Sequence, residues 1–375
     1  MKKLCLLFST GMLLVLAAIC AISTAFFMPR NNKFPVLPVA AQTQLSGEWQ
    51  GVSWTLNADT GALFIDGTGE ISGFDDPDET HAWHHHKELI QSIIISDTVT
   101  AIGMNAFYAC PNLSEVTIGG GVVSIGHSAF RGCSSLGHIR VPDSVQAIEN
   151  SAFQDSGLQR LTLGNGLKTI SKFAFRGCEN LQEVHIPDSV TEIALQSFAD
   201  CSSLQTVGIG NGLTEIPMQA FEHCVALQTL RIGNGVQTIG ESAFHGCVAL
   251  TSLQLGDSVR TIDKNAFYDC QSLPELYLSD SVKTINYHAF YGCKNLHTLW
   301  MGAGLETIEN NAFVFTENNG RFSVVYVHAP AIASGLADES VFGRLAQHVL
   351  TFAVAESLQT HDYIQQTFKQ REDIV

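Results

Sequence analysis

Basic residues are scarce in this chain: 20 Lys and Arg among 375 residues, against 36 Asp and Glu, for a net charge of −16. Neutralising a phosphate backbone takes clustered cations, so the composition argues against a nucleic-acid partner. Charge of either sign is thin, 15% against the roughly 25% usual for soluble domains. Hydrophobic residues reach 45%, the content of a chain that folds rather than one that stays disordered. The polar surface must therefore come from Ser, Thr, Asn, Gln and Gly. Catalytic signatures are missing too: there is no Walker loop, no Rossmann glycine fingerprint, no His-Glu-x-x-His and no Gly-x-Ser-x-Gly. Paired acids such as Asp263 and Asp269 recur only at turn and surface positions. The reading is non-catalytic, with no cofactor called for.

Only one long uncharged run is present. Lys2 and Lys3 precede Leu4 to Met28, so residues 1–28 read as a signal peptide or an N-terminal membrane anchor. Small-x-small cleavage sites are offered by Ser23-Thr24-Ala25 and by Val39-Ala40-Ala41, whereas Ile19 before Cys20 disfavours a lipoprotein. In either case the bulk of the chain lies outside the cytoplasm, secreted or at the cell surface, and meets a membrane only through this segment. Residues 29–44, with Pro29, Pro35 and Pro38, form a linker.

The rest of the chain repeats. Ala-Phe pairs, with Ser-Phe once, end at Phe107, Phe130, Phe153, Phe175, Phe198, Phe221, Phe244, Phe267, Phe290 and Phe313, spaced 23 residues apart except for one interval of 22. A unit this small cannot bury its own apolar face and must stack on its neighbours, which makes a solenoid. One unit reads Leu227-x-x-Leu230-x-Ile232, Gly-Asn-Gly, Val236-x-x-Ile239, Ala243-Phe244-x-x-Cys247. Period-2 alternation points Leu230 and Ile232 inward and Arg231 outward, so stacked units form a parallel sheet. The 22-residue interval, Phe153-Gln-Asp-Ser156-Gly-Leu158, lacks one residue and the Cys, and predicts a locally distorted rung.

These units resemble the BspA-like class of leucine-rich repeats. Val141-Pro142-Asp143-Ser144-Val145 through Ala152-Phe153 follows its pattern closely, as does Ile186-Pro187-Asp188-Ser189-Val190. The likeness covers about residues 89 to 313, and residues 49–74, with Trp54-Thr-Leu and Ile65-Asp-Gly-Thr-Gly69, look like the β-rich leader seen in many members. It implies a secreted or surface-displayed bacterial protein that binds host or community macromolecules, and it implies no catalytic residues. The expected organisation is a β-rich N-terminal cap at 45–88, a leucine-rich-repeat solenoid of about ten rungs at 89–320, and a C-terminal cap at 321–375. That last cap begins with a strand at Phe322–Val327, continues with a helix carrying Val341, Phe342, Leu345, Ala346, Val349 and Leu350, and ends with a second helix from Asp362 to Arg371.

Three constellations invite chemistry. Cys110, Cys133, Cys178, Cys201, Cys224, Cys247, Cys270 and Cys293 each follow their Phe by three residues. Equivalent positions on stacked rungs carry parallel Cα–Cβ vectors about 4.8 Å apart, whereas a disulfide needs Cβ atoms converging to about 3.8 Å. A buried thiol ladder is favoured over disulfides between adjacent rungs. His81, His84, His85 and His86 are weak metal candidates, and Asp75, Asp76, Asp78 and Glu79 could hold calcium; the alternative is a polar connection of solvated side chains. Finally, the outward column of the sheet runs through Arg140, His185, Arg231, Tyr277 and Trp300, and exposed aromatics and Arg are enriched at binding hot spots. These five are the candidate contacts for an extracellular protein or glycan. A membrane-tethered envelope scaffold is the second reading. A polysaccharide-active solenoid enzyme is more remote, because no carboxylate or basic cluster recurs on one face.

Overall fold

The structure is a computed structural model in which residues 43–73, 82–314, 324–327 and 352–354 are described. The leader at 1–28, most of the linker, the acidic run Asp75 to Glu79, His81 and the two C-terminal helices expected from the sequence lie outside the described residues.

Two parallel ladders and one stack of turns make up each rung. Antiparallel strands Gln44–Trp49, Val52–Asn57 and Ala62–Gly67 open the fold as a meander. The third of these pairs in parallel with Ser92–Ile95, which pairs with Glu115–Thr117, so the meander feeds directly into the long ladder. That ladder continues through His138–Arg140 and Arg160–Thr162, then Glu183–Ile186 to Ser252–Gln254, then Glu275–Leu278 and Thr298–Met301. Strand Val324–Val327 adds to it as the sequence predicts, and Phe352–Val354 extends it by one strand more. The short ladder starts at Gly69–Ile71 and collects one two-residue strand from nearly every rung, ending at Thr307–Ile308.

The third side is built from consecutive turns that also bond rung to rung. The N–H groups of Asn105, Phe107 and Ala109 donate to the carbonyls of His127, Ala129 and Arg131, and the next rung repeats the pattern, Phe130 donating to Ala152. To aim every donor at the following rung the chain takes a left-handed residue two before each Phe and, from Phe107 to Phe290, two after it as well. Asn105, Ser128, Gln196 and Asn265 fill the first position; Gly132, Asp155, Asp200 and Gly246 fill the second. Gly, Asn and Asp accept that conformation at little cost.

The core follows from this geometry. All ten repeat phenylalanines are fully buried, and their rings stack at centroid spacings of 5.0 to 5.3 Å. The 22-residue rung does not disturb the column: Phe153 and Phe175 are parallel at 5.2 Å. Ser156 occupies the missing cysteine's place, buried, with its hydroxyl 3.4 Å from Cys178 Sγ. The shortening is absorbed between Ser156 and Leu158, where a Cβ on Gly157 would run into the Ser134 carbonyl. The phenylalanine column thus passes the short rung unbroken.

The eight repeat cysteines are free and buried. From Cys133 onward each thiol donates to the Phe carbonyl of the preceding rung, at 3.1 Å for Cys133 to Phe107 and 3.4 Å for Cys247 to Phe221. Burial pushes the Cys133 and Cys178 thiols up to about 12, so the nucleophilic thiolate is absent near neutrality. Native protein at pH 8 is expected to leave these thiols unmodified by a disulfide reagent over an hour, and denatured protein without reductant to expose all eight. Cys5 and Cys20 react as well where the leader is retained, so peptide mapping assigns the labels, and any of the eight left unlabelled after denaturation would sink the ladder.

Candidate functional site

The outer face of the long ladder carries the five residues singled out from the sequence, distributed over three runs of hydrogen-bonded strands. Arg140 sits opposite Thr162. His185, Gly208, Arg231 and Gln254 are in register, as are Tyr277, Trp300 and Tyr326. Arg140, His185 and Arg231 are exposed, while Tyr277, Trp300 and Tyr326 are half-buried. Trp300 and Tyr326 lie parallel at 5.5 Å. Gly208 makes room for a neighbour: a Cβ there would lie 2.7 Å from His185 Nδ1, so the imidazole leans across the gap toward the Arg231 rung. The structure therefore brings Tyr277 and Trp300 together, sets His185 two strands from Arg231, and leaves Arg140 apart. Phe64 and Ile94, 45% and 41% exposed, occupy the same column at its N-terminal end; their alternation was legible, but neither lay within the ten Phe-bearing repeats.

The described part of the His tract, Ala82–His86, is only partly solvated. Trp83 and His84 are buried, at 0% and 4% exposure, in a short 3-10 turn at Ala82–His86. Trp83 stacks on Phe107 at 5.8 Å and meets Trp54 edge-on at 6.4 Å. Its indole N–H donates to the Ala106 carbonyl at 2.8 Å, and His84 Nε2–H donates to the Asn105 and Ala106 carbonyls at 3.1 and 3.2 Å. In every later rung the carbonyl equivalent to Ala106 is taken by a preceding Phe N–H. Ala82-Trp83 is thus the Ala-aromatic pair of a rung before the first Phe, with one extra residue in the interval. Burial lowers the pKa of His84 from its ordinary value, outweighing the carbonyls that raise it, and neutral His84 keeps its proton on Nε2. His85 is exposed and His86 half-exposed.

A cluster missed in the sequence lies on the turn face. The residue after each Phe forms a column, and over consecutive rungs it reads Arg176, Glu222, His245, Tyr268 and Tyr291, with only Ala199 as an interruption. His223 and His245 are 5.3 Å apart, His245 meets Tyr268 edge-on at 5.0 Å, and Tyr268 stacks on Tyr291 at 4.9 Å. His288 lies between Tyr291 at 4.6 Å and Tyr287 at 3.7 Å. Acids flank the histidines: Asp200 Oδ1 is 3.4 Å from His223 Nδ1 and Glu222 Oε1 3.2 Å from His245 Nδ1. Burial lowers His288, with Lys264 adding to the effect, and raises Tyr268, helped by Asp269 and Tyr291.

A match to a family model agrees with this architecture. The BspA type leucine rich repeat region matches in six copies, over residues 82–205 and 214–323. The first of these bounds falls on Ala82, where the structure starts the rung before Phe107. Among solved structures, a leucine-rich repeat protein from Eubacterium ventriosum is 19% identical, with 74% of this chain and 99% of that one covered and a TM-score of 0.36. A leucine rich cell surface protein from Faecalibacterium prausnitzii is 21% identical, covering 85% and 97% with a TM-score of 0.34. The pneumococcal vaccine antigen PcpA is 19% identical, covering 86% and 96% with a TM-score of 0.44. No curated protein matches the chain.

Proposed function

The chain belongs to the BspA type leucine-rich-repeat family, and from that premise we propose that it is a non-catalytic interaction module, displayed at the cell surface or secreted, that binds an extracellular protein or glycan along the outer face of its long ladder. The observation that carries this is the in-register column Tyr277, Trp300, Tyr326. Three aromatic side chains on a hydrogen-bonded sheet form a rigid platform, and rigid aromatics lose little entropy when a partner covers them. His185 and Arg231 extend the same face with hydrogen-bond donors. Export rests on the run Leu4 to Met28, which lies outside the described residues; among the described residues no helix is long and apolar enough to cross a membrane.

The test is an array of glycans and extracellular proteins probed with the full chain in detergent, followed by affinity measurements on the best ligand. Tyr277→Ala with Trp300→Ala should weaken binding at least about thirtyfold, the scale of one hot-spot residue. Thermal stability should fall only by about 1 kcal/mol, the worth of a lost aromatic stack. Arg140→Ala, on the same outward column but in a separate run of strands from the three aromatics, should weaken binding far less than the aromatic double variant. Unchanged affinity in the double variant would remove the aromatic column from the binding face.

A further inference from the structure

We propose that Glu222, His223 and His245 form a divalent transition-metal site on the turn face, with zinc the best-fitting ion. Among the described residues, one ligand atom from each of the three lies within 4.8 Å of the other two. The pair Glu222 Oε1 and His245 Nδ1 is already 3.2 Å apart, close to the edge of about 3.3 Å that a tetrahedron with metal bonds of about 2.0 Å requires. His223 is the most exposed of the three, with half its side chain in solvent, so a modest ring rotation closes the remaining distance. Two imidazoles and one carboxylate suit zinc better than calcium or magnesium, which favour all-oxygen sets.

The local backbone explains why these side chains converge. Glu222 and His245 hold the same position on adjacent rungs, one residue after Phe221 and Phe244, and the rung-to-rung bonds keep them in register. His223 is left-handed, with φ 59°, which turns its side chain back beside Glu222.

Neighbouring side chains already hold two of the carboxylates in position around the three. Gln196 Nε2 donates to Glu222 Oε2 at 3.4 Å, leaving Oε1 directed at the histidines. Arg176 Nε donates to Asp200 Oδ2 at 3.1 Å, leaving Oδ1 beside His223 Nδ1. Such a carboxylate fixes the tautomer of a ligating imidazole and raises its basicity. Three protein ligands leave the outward position of the ion open to water or to a donor atom from a partner.

Calorimetric titration of zinc into the full chain in detergent at pH 7.5, with cobalt absorption spectra in parallel, tests the site. Wild type should show one saturable site, and visible bands from cobalt bound by few ligands. Glu222→Gln combined with His245→Ala should weaken zinc at least tenfold and abolish the bands. His223→Asn should weaken zinc similarly; Asn accepts the left-handed backbone, so metal-free circular dichroism and melting should stay unchanged. His85→Ala with His86→Ala should retain both signals. Absence of saturable zinc binding in wild type, or zinc affinity equal to wild type in the Glu222/His245 variant or in the His223 variant, would overturn the assignment. Neither outcome bears on the sheet face, which binding by the Tyr277 and Trp300 variants judges separately.

Discussion

Phe221→Ala is expected to destabilise the protein by about 3–5 kcal/mol, read as a fall in the denaturant midpoint at constant slope. The ring sits between Phe198 at 5.2 Å and Phe244 at 5.3 Å, parallel to both within a few degrees, and it is fully buried. Truncation removes both faces of contact at once. The void cannot collapse easily, because the spacing of the flanking rungs is held on three sides: Val207 pairs with Leu230 in the long ladder, Ile216 with Ile239 in the short one, and Phe221 N–H with the Ala243 carbonyl on the turn face. A site that cannot close costs near the top of the range for its chemistry. Phe221→Leu keeps most of the volume and should cost less than half as much. Each rung touches only its neighbours, so hydrogen exchange should quicken first around residues 198–244 rather than across the whole array. A loss below about 1 kcal/mol for the alanine variant would show that the phenylalanine column is not the core it is taken to be.

The features visible in the sequence are those with a strict period. Leu230, Ile232, Val236, Ile239 and Phe244 recur at fixed offsets and are buried; so do the cysteines, whose parallel disposition already argued against disulfides. The outward column was legible for the same reason, since alternation puts Arg231 and Trp300 on one side of their strands. The left-handed positions were not, because they tolerate Asn, Ser, Gln, His and even Phe173 at φ 61°, and no single residue type marks them. The Ala82-Trp83 rung was hidden by a different aromatic, an interval one residue longer than its neighbours and a run of histidines that resembles a metal tract. The turn-face cluster could have been found by aligning the repeats on Phe and reading the next column, where Glu222, His245, Tyr268 and Tyr291 stand in order. What the alignment lacks is the left-handed turn at His223, which brings a residue from the neighbouring column into the same group.

Trp83→Ala should be nearly as damaging as the loss of a central phenylalanine, but with a different footprint. Trp83 is fully buried at the open end of the phenylalanine column, stacked on Phe107 and edge-on to Trp54. Its indole also donates to the Ala106 carbonyl. Removing it creates a large cavity, worth about 3–5 kcal/mol for Trp to Ala, and takes one donor from a buried carbonyl. The damage falls at a terminus of a one-dimensional array, so the first rungs should fray while the middle persists. Hydrogen exchange should rise over residues 92–118 and remain slow over 206–262. Exposing the first Phe ring and the adjoining strand edges also offers a template for association, so the variant should self-associate at concentrations where the parent does not. Trp83→Phe separates the two contributions: it keeps the stack, loses the N–H, and should cost about 1 kcal/mol with little fraying. If Trp83→Ala instead melted like the parent with the same exchange pattern, the rung at Ala82–His86 would not be what closes this end of the solenoid.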